Sequence, residues 1–93
     1  MAVYKLSIPA RNRLAEIYEY TLLNFGERQA DTYLADLNAA FNRLAHSPLM
    51  GRKVRAYRRH DHGQYAIFYM PMDSGIAIAQ IFHHSENIDA KFR

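Results

Sequence analysis

The fold is decided by residues 63–83, which read GQYAIFYMPMDSGIAIAQIFH. Two runs rich in Tyr, Ile and Phe, Tyr65 to Pro71 and Gly75 to His83, flank the turn Asp73-Ser74-Gly75, which has the chemistry of a short hairpin turn. We therefore expect an antiparallel hairpin. Both alternating sets of side chains in its second strand are largely apolar, which predicts a central strand. The sets are Ile76, Ile78, Gln80 and Phe82 on one face, and Ala77, Ala79, Ile81 and His83 on the other.

Two more strands are predicted on the N-terminal side of this hairpin. Val54 to His60 is strand-like and is separated from the hairpin by the turn Asp61-His62-Gly63. From Ala2 to Ile8, the apolar side chains Tyr4, Leu6 and Ile8 occupy alternate positions, as in a strand with one buried face. The three later strands form an antiparallel meander, and the sequence does not place the first strand in the sheet.

The segment between the first strand and the meander has helical periodicity. Pro9 suits the first turn of one helix, Gly26 suits its exit, and Ser47-Pro48 closes a second helix. A connection this short predicts an antiparallel hairpin of helices. The apolar stripes are Leu14, Ile17, Tyr18, Thr21, Leu22 and Phe25 in the first helix, and Ala30, Tyr33, Leu34, Leu37, Ala40, Phe41 and Leu44 in the second.

These elements together predict an α+β fold of the order β-α-α-β-β-β. An N-terminal strand and a helical hairpin pack on one face of a small, mostly antiparallel sheet, because the helical stripes need a sheet to cover them. The length of 93 residues predicts a single domain over residues 1–93, with a short tail from Ser85 to Arg93.

Composition excludes several classes of function. The chain has no cysteine, which removes disulfide and thiolate chemistry and suits a reducing cytoplasm. No uncharged run reaches the roughly 17 residues of a membrane span, and the first residues lack a signal-peptide core, so we expect a cytoplasmic protein. The net charge is +3, and Arg52, Lys53, Arg55, Arg58 and Arg59 form a basic run. Such a run is a solvated strand, an interface for an acidic protein or a nucleic-acid contact.

Several segments, in this order and spacing, carry a family resemblance that extends from Tyr4 to Phe92. They are Tyr4-Lys5-Leu6-Ser7, Leu14-Ala15-Glu16-Ile17, Phe25-Gly26-Glu27-Arg28-Gln29-Ala30, Leu44-Ala45-His46-Ser47-Pro48-Leu49-Met50-Gly51, Tyr57-Arg58-Arg59, Gly63-Gln64-Tyr65-Ala66-Ile67-Phe68-Tyr69, Ile81-Phe82-His83 and Asn87-Ile88-Asp89. On these segments the chain resembles the ParE branch of the RelE/ParE toxins.

The resemblance implies the toxin of a toxin–antitoxin pair. Its partners would be a ParD-like antitoxin, partly disordered, that wraps the toxin in a hetero-oligomer, and DNA gyrase as the target. It implies no membrane partner and no specific nucleic-acid binding by the toxin alone. RelE-type relatives instead cut messenger RNA on the ribosome, and a toxin-like module that has lost its activity is a third alternative.

An RNA-cleaving enzyme needs an acid–base group and a cation over the scissile phosphate. Many relatives have an arginine before the aromatic residue that opens the third strand, but this chain has the neutral Gln64. The RelE-type alternative therefore rests on Arg58 and Arg59 with His83 or His84. In the ParE-type interpretation the chain has no catalytic residue, and His83 caps or packs the end of its strand.

The candidates for target contact come from the basic run and the tail. They are Arg55, Arg58, Arg59, His83, Ser85, Asn87 and Asp89. We expect no cofactor and no metal: five histidines invite a zinc interpretation, but without cysteine the ligands would have to come from distant segments. Most tyrosines lie on stripes that the core requires, which favours packing over base stacking.

Overall fold

The computed structural model describes residues 2–91, and its helices and strands follow the predicted order with two additions. The strands are β1 (Val3–Leu6), β2 (Arg52–Val54), β3 (Tyr57–His62), β4 (Tyr65–Met72) and β5 (Gly75–His83). The helices are α1 (Ile8–Phe25), α2 (Glu27–His46) and α3 (Ile88–Lys91). The additions are β2 and the short helix α3 in the predicted tail. The α+β class with a helical hairpin on a mostly antiparallel sheet is confirmed.

The sheet has the strand order β1-β5-β4-β3-β2. β1 is parallel to β5, and every other neighbouring pair is antiparallel. β5 therefore lies inside the sheet, as its two apolar faces predicted, while β4 holds the middle position. β1 passes close to the start of β5: a Cβ added to Gly75, whose φ is +147°, would lie 1.7 Å from the carbonyl oxygen of Val3. Only glycine fits at that point.

The main core lies between the helical hairpin and one face of the sheet, which we call the helix face. Its large buried side chains are Ile17, Leu37, Phe41, Leu44, Ile67, Tyr69, Ile76, Ile78 and Ile81. A smaller cluster lies on the opposite, open face, where Ala66, Phe68 and Phe82 are covered partly by Val54, Tyr57 and Ile88. Each large apolar side chain removed from water contributes about 1.5–3 kcal/mol, so the helix face supplies most of the hydrophobic stabilisation.

A β-bulge changes which side chains of β5 share a face. Phe68 pairs with Gln80 but the next residue, Tyr69, pairs with Ile78, so Ala79 has no partner in the register. An extra residue shifts the alternation by one position. The predicted face made of Ile76, Ile78, Gln80 and Phe82 is therefore wrong. Ile81 joins Ile76 and Ile78 in the main core, and Phe82 lies in the open-face cluster.

Ser7 connects this bulge to the start of α1. Its hydroxyl donates to the carbonyl oxygen of Ala79 at 2.6 Å and accepts from the backbone N–H of Ala10 at 3.1 Å. The first contact gives the bulged residue a hydrogen-bond partner, and the second caps the helix. One side chain thus orients α1 against β5. It also ends the first strand earlier than predicted: Ile8 starts α1 and is 72% exposed, and is not part of the buried strand face.

The prediction of a single strand from Val54 to His60 is wrong because the chain turns within it. Arg55 has a φ of +57°, a left-handed conformation that breaks the strand. β2 and β3 consequently form a hairpin of their own, with Arg52 opposite Arg59.

The tip of the helical hairpin extends beyond the core. All residues from 22 to 29 are exposed, including Leu22 and Phe25, which the helical periodicity assigned to the apolar stripe. Leu34 of the second stripe is also 39% exposed. Periodicity identifies the apolar side of a helix but not how far along the helix the sheet reaches.

Candidate functional site

Arg58 and Arg59 lie on opposite faces of the sheet, because neighbouring residues in a strand alternate. Arg58 pairs with Tyr69 of the main core, and its guanidinium donates to the carbonyl oxygen of Gly51 at 2.7 Å. Arg59 pairs with Phe68 of the open-face cluster, and its guanidinium carbon lies 5.7 Å from the centre of the Phe68 ring. The two cations therefore do not converge on one site.

His83 lies at the end of β5 on the helix face, where both of its ring nitrogens have partners. Nδ1 accepts from the backbone N–H of Ser85 at 3.0 Å and lies 2.6 Å from the Ser85 hydroxyl. Because the backbone N–H can only donate, the ring proton sits on Nε2, which donates to Oε1 of Gln64 at 2.9 Å. Its ring also packs edge-on against Tyr65. His83 thus joins the end of β5 to the start of β4.

An open pocket of about 380 Å³ adjoins this histidine. It lies between α1 and the ends of β4 and β5, and its polar lining comes from Arg13, Glu16, Tyr20, Gln64, Tyr65, His83 and Ser85. Arg13 lies in α1, and no local pattern associates it with a strand end 70 positions later in the chain. The sequence interpretation therefore missed Arg13 as part of the surroundings of His83.

Glu86 holds the tail beside this pocket. Its carboxylate accepts from the backbone N–H of His83 at 2.9 Å and pairs with Arg13 at 3.0 Å and with Lys91 at 3.5 Å. Burial alone would raise the pKa of Glu86, but the His83 N–H and the two cations outweigh it and hold the pKa below its ordinary value. Glu86 is therefore ionised, and its carboxylate both holds the tail at the end of β5 and neutralises Arg13.

A second polar cluster lies on the open face. Asp61 accepts from Arg59 at 2.9 Å and lies 3.4 Å from Nε2 of His84. Burial acts to raise the pKa of Asp61, while the hydrogen bond and charge of Arg59, followed by those of His84, lower it below its usual value. The structure thus groups Arg59 with His84 and places Arg58 and His83 elsewhere. The proposed RelE-type set is divided between two locations.

Some of the remaining target-contact candidates line a groove on the open face, which we call the β2 groove. Arg55 and Asp89 line it, whereas Asn87 accepts from the backbone N–H of Ala90 at 3.3 Å and so belongs to the start of α3. The full lining consists of Arg52, Val54, Arg55, Arg59, Phe68, Ile88 and Asp89. Of the seven candidates, Arg55, Arg59 and Asp89 share this groove, while His83 and Ser85 share the pocket at α1.

The other histidines in the sheet face the helices. His60 is half-buried, and burial, followed by the neighbouring charges of His62 and Arg43, lowers its pKa, with Asp61 opposing. His62 packs against the ring of Tyr33. Within residues 2–91, no three histidine or carboxylate side chains are grouped so that they could hold a metal ion. No helix in the same part of the chain has both the length and the hydropathy to cross a membrane.

The family described as "ParE toxin of type II toxin-antitoxin system, parDE" matches residues 4–88. The chain belongs to the ParE toxin family. This confirms the resemblance that the sequence segments carried.

Relatives and a solved structure agree with this assignment. The chain is 33% identical over 91 residues to "Toxin ParE1" of Mycobacterium tuberculosis, covering 92% of this chain and 93% of the relative. It is also 33% identical over 94 residues to "Toxin ParE1" of Caulobacter vibrioides, with 97% of each chain covered. A chain from the structure "Chromosomal ParDE TA system from P. aeruginosa" has the same fold, with a TM-score of 0.73 at 19% identity over 89% of this chain and 96% of that one.

Proposed function

We propose that this ParE-family toxin acts by binding DNA gyrase and inhibiting it, and that a ParD-like antitoxin neutralises it by forming a complex with it. The candidate catalytic groups are divided between the two faces of the sheet, and this observation favours a binding protein over a nuclease. Arg58 is bound to a backbone carbonyl on the helix face, whereas Arg59 is paired with Asp61 on the open face.

Cleavage of RNA by 2′-hydroxyl attack requires an acid–base pair and an uncompensated cation around one phosphate. In the pocket at α1, the cation in the lining, Arg13, is neutralised by Glu86, and Gln64 contributes no charge. His83 uses both ring nitrogens to hold Ser85 and Gln64. This supports a structural role for His83 at the strand end.

The open-face cluster is the location that favours the RelE-type alternative. There Arg59 and His84 both contact Asp61, so an acid–base group and a cation lie close together. The carboxylate between them compensates the guanidinium, and it would have to be displaced before a phosphate could bind. The alternative is therefore included in the experiment below.

The helical hairpin presents apolar surface on which an antitoxin can bind. Tyr20, Leu23 and Phe25 are 61%, 76% and 58% exposed near the hairpin tip. Exposed apolar groups of this size mark protein interaction surfaces. We expect the antitoxin to lay an extended or helical acidic segment across the hairpin and the sheet and to bury upward of about 1,000 Å², because ordering a flexible segment needs a large contact. A structure of the complex that leaves both surfaces bare would contradict this expectation.

One comparison separates the two activities. Purified toxin is assayed for inhibition of gyrase supercoiling and, in parallel, for ribosome-dependent cleavage of messenger RNA, each with and without the antitoxin. We expect inhibition of gyrase that the antitoxin reverses, and no cleavage. Cleavage by the wild-type toxin without any effect on gyrase would replace the proposal with the RelE-type alternative.

The double variant His83→Gln/His84→Gln makes the comparison residue-specific. A glutamine amide can accept from the Ser85 N–H and donate to Gln64 or Asp61, but it cannot transfer protons near neutral pH. Gyrase inhibition should remain within about twofold, whereas a nuclease that used either ring would lose roughly 10²–10⁴-fold. His46→Gln is the matched control, because the only hydrogen-bond partner of that exposed ring within residues 2–91 is the carbonyl oxygen of Asn42 in its own helix.

A further inference from the structure

We propose that the β2 groove binds an acidic, extended segment of the target, so that the basic run of this toxin forms its contact with gyrase. The inference rests on the proposed function and adds to it the contact surface and the chemistry of what is bound. The groove has a volume of about 300 Å³ and lies on the open face, away from the helical hairpin.

The charges of the groove match a carboxylate-rich segment. Three arginines line it, Arg52, Arg55 and Arg59, against one carboxylate, Asp89. Arg59 is paired with Asp61, but Arg52 and Arg55 are exposed and have no ion-pair partner within residues 2–91. Two guanidinium groups are therefore available at the rim, and arginine can bind a carboxylate with two parallel hydrogen bonds.

The backbone at Arg55 is an independent sign that this side chain has a role. With a φ of +57°, it occupies a conformation that favours Gly, Asn or Asp. A turn needs no guanidinium, and glycine would make this turn without strain. Strain of this kind is concentrated where a side chain is held for function. Here it holds an exposed cation at the mouth of the groove.

The position of β2 accounts for an extended segment. Within residues 2–91, β2 is the last strand of the sheet and pairs only with β3, so its other edge is available to a further strand. An edge strand can bind a peptide through its backbone, and flanking pockets select alternate side chains. Val54, Phe68 and Ile88 give the groove an apolar floor and wall, which suits alternating acidic and apolar side chains.

The same features favour a protein segment over a nucleic acid. A phosphate-binding surface gains from uniform positive charge, because its affinity comes mainly from the backbone of the nucleic acid. The β2 groove lacks that uniform charge, because Asp89 lines it and Asp61 already holds one of its three arginines; a peptide can place an apolar side chain beside these carboxylates, whereas a nucleic acid repeats its phosphates at every position. Phe68, the aromatic ring in its lining, is only 1% exposed and offers no face for stacking a base.

The test is a charge reversal, Arg52→Glu/Arg55→Glu, compared with Arg11→Glu/Arg28→Glu. Both doubles change the net charge equally, and the control residues are exposed near the N-terminal ends of α1 and α2, where glutamate is compatible with the helix dipole. Gyrase inhibition and binding to each isolated gyrase subunit without DNA are measured. The groove double should weaken both by roughly tenfold or more, the control by less than about threefold, and only the groove effect should shrink as salt is raised.

Three results would overturn the inference. Equal losses in both doubles would indicate a general charge effect, and unchanged inhibition by the groove double would exclude the groove while leaving gyrase as the target. Binding of the wild type to a labelled DNA duplex, lost in the groove double while subunit binding stays intact, would assign the groove to nucleic acid. If the wild type inhibits no gyrase at all, the proposed function itself has failed.

Discussion

Replacing Tyr69 with phenylalanine should destabilise the toxin through the loss of a single oxygen. Tyr69 is fully buried, and its hydroxyl donates to the carbonyl oxygen of Pro48 at 2.7 Å and accepts from the N–H of the buried Gly51 at 2.9 Å. The variant leaves two backbone groups without this partner. An unsatisfied buried group costs about 1–3 kcal/mol, and the half-buried Pro48 carbonyl costs less, so we expect a total of about 2–3 kcal/mol. For a domain of this size the melting temperature should fall by roughly 8–24 °C.

Thermal and urea unfolding followed by circular dichroism would measure this loss. Tyr20→Phe is the matched control, because Tyr20 is 61% exposed, and its free energy of unfolding should stay within about 0.5 kcal/mol of the wild type. Gly51→Ala adds a second check: its Cβ would lie 2.6 Å from the Tyr69 hydroxyl oxygen and 2.9 Å from both Cε1 of that ring and the carbonyl oxygen of Arg59, so it should be destabilising, and phenylalanine at position 69 would relieve only the first of these contacts. If Tyr69→Phe unfolds like the control, the hydroxyl does not anchor the loop before β2, and our account of how that strand is positioned is wrong.

Three further changes test other parts of the structure. Arg55→Gly should raise the free energy of unfolding by about 0.5–1 kcal/mol, because glycine adopts the positive φ without strain. A lower free energy of unfolding, measured by urea titration, would contradict the strain argument. Ser7→Ala should lower the free energy of unfolding by about 1–3 kcal/mol, because the helix cap and the hydrogen-bond partner of the Ala79 carbonyl are lost together. An effect below about 0.5 kcal/mol would show that water replaces both hydrogen bonds. The pKa of His60 is lowered from 6.5, so the folded state disfavours protonation of this ring, and the stability that depends on it is present above about pH 6.5 and is lost as the pH falls below that value. His60→Gln should therefore reduce the loss of stability at low pH, measured as the urea midpoint across that range. An unchanged pH dependence would point to other groups.

The candidate site was only partly visible in the sequence. Arg58, Arg59, His83 and His84 could be named because charged and titratable residues next to strand patterns are local signals. Whether they converge depends on which face each one occupies, and on partners that come from other elements. Arg13 and Glu86, which complete the surroundings of His83, are 73 positions apart and share no pattern that would associate them.

The sequence by itself determined the order of the main elements, the fold class and the family, because these depend on periodicity, turn residues and segments read along the chain. Tertiary structure alone decided the features that depend on register. The bulge at Ala79 moved Ile81 to the main core, and the turn at Arg55 made a second hairpin with an open, basic edge. The parallel pairing of β1 with β5 is of the same kind. In each case local patterns along the chain leave the arrangement open, and contacts between separate segments select one of them.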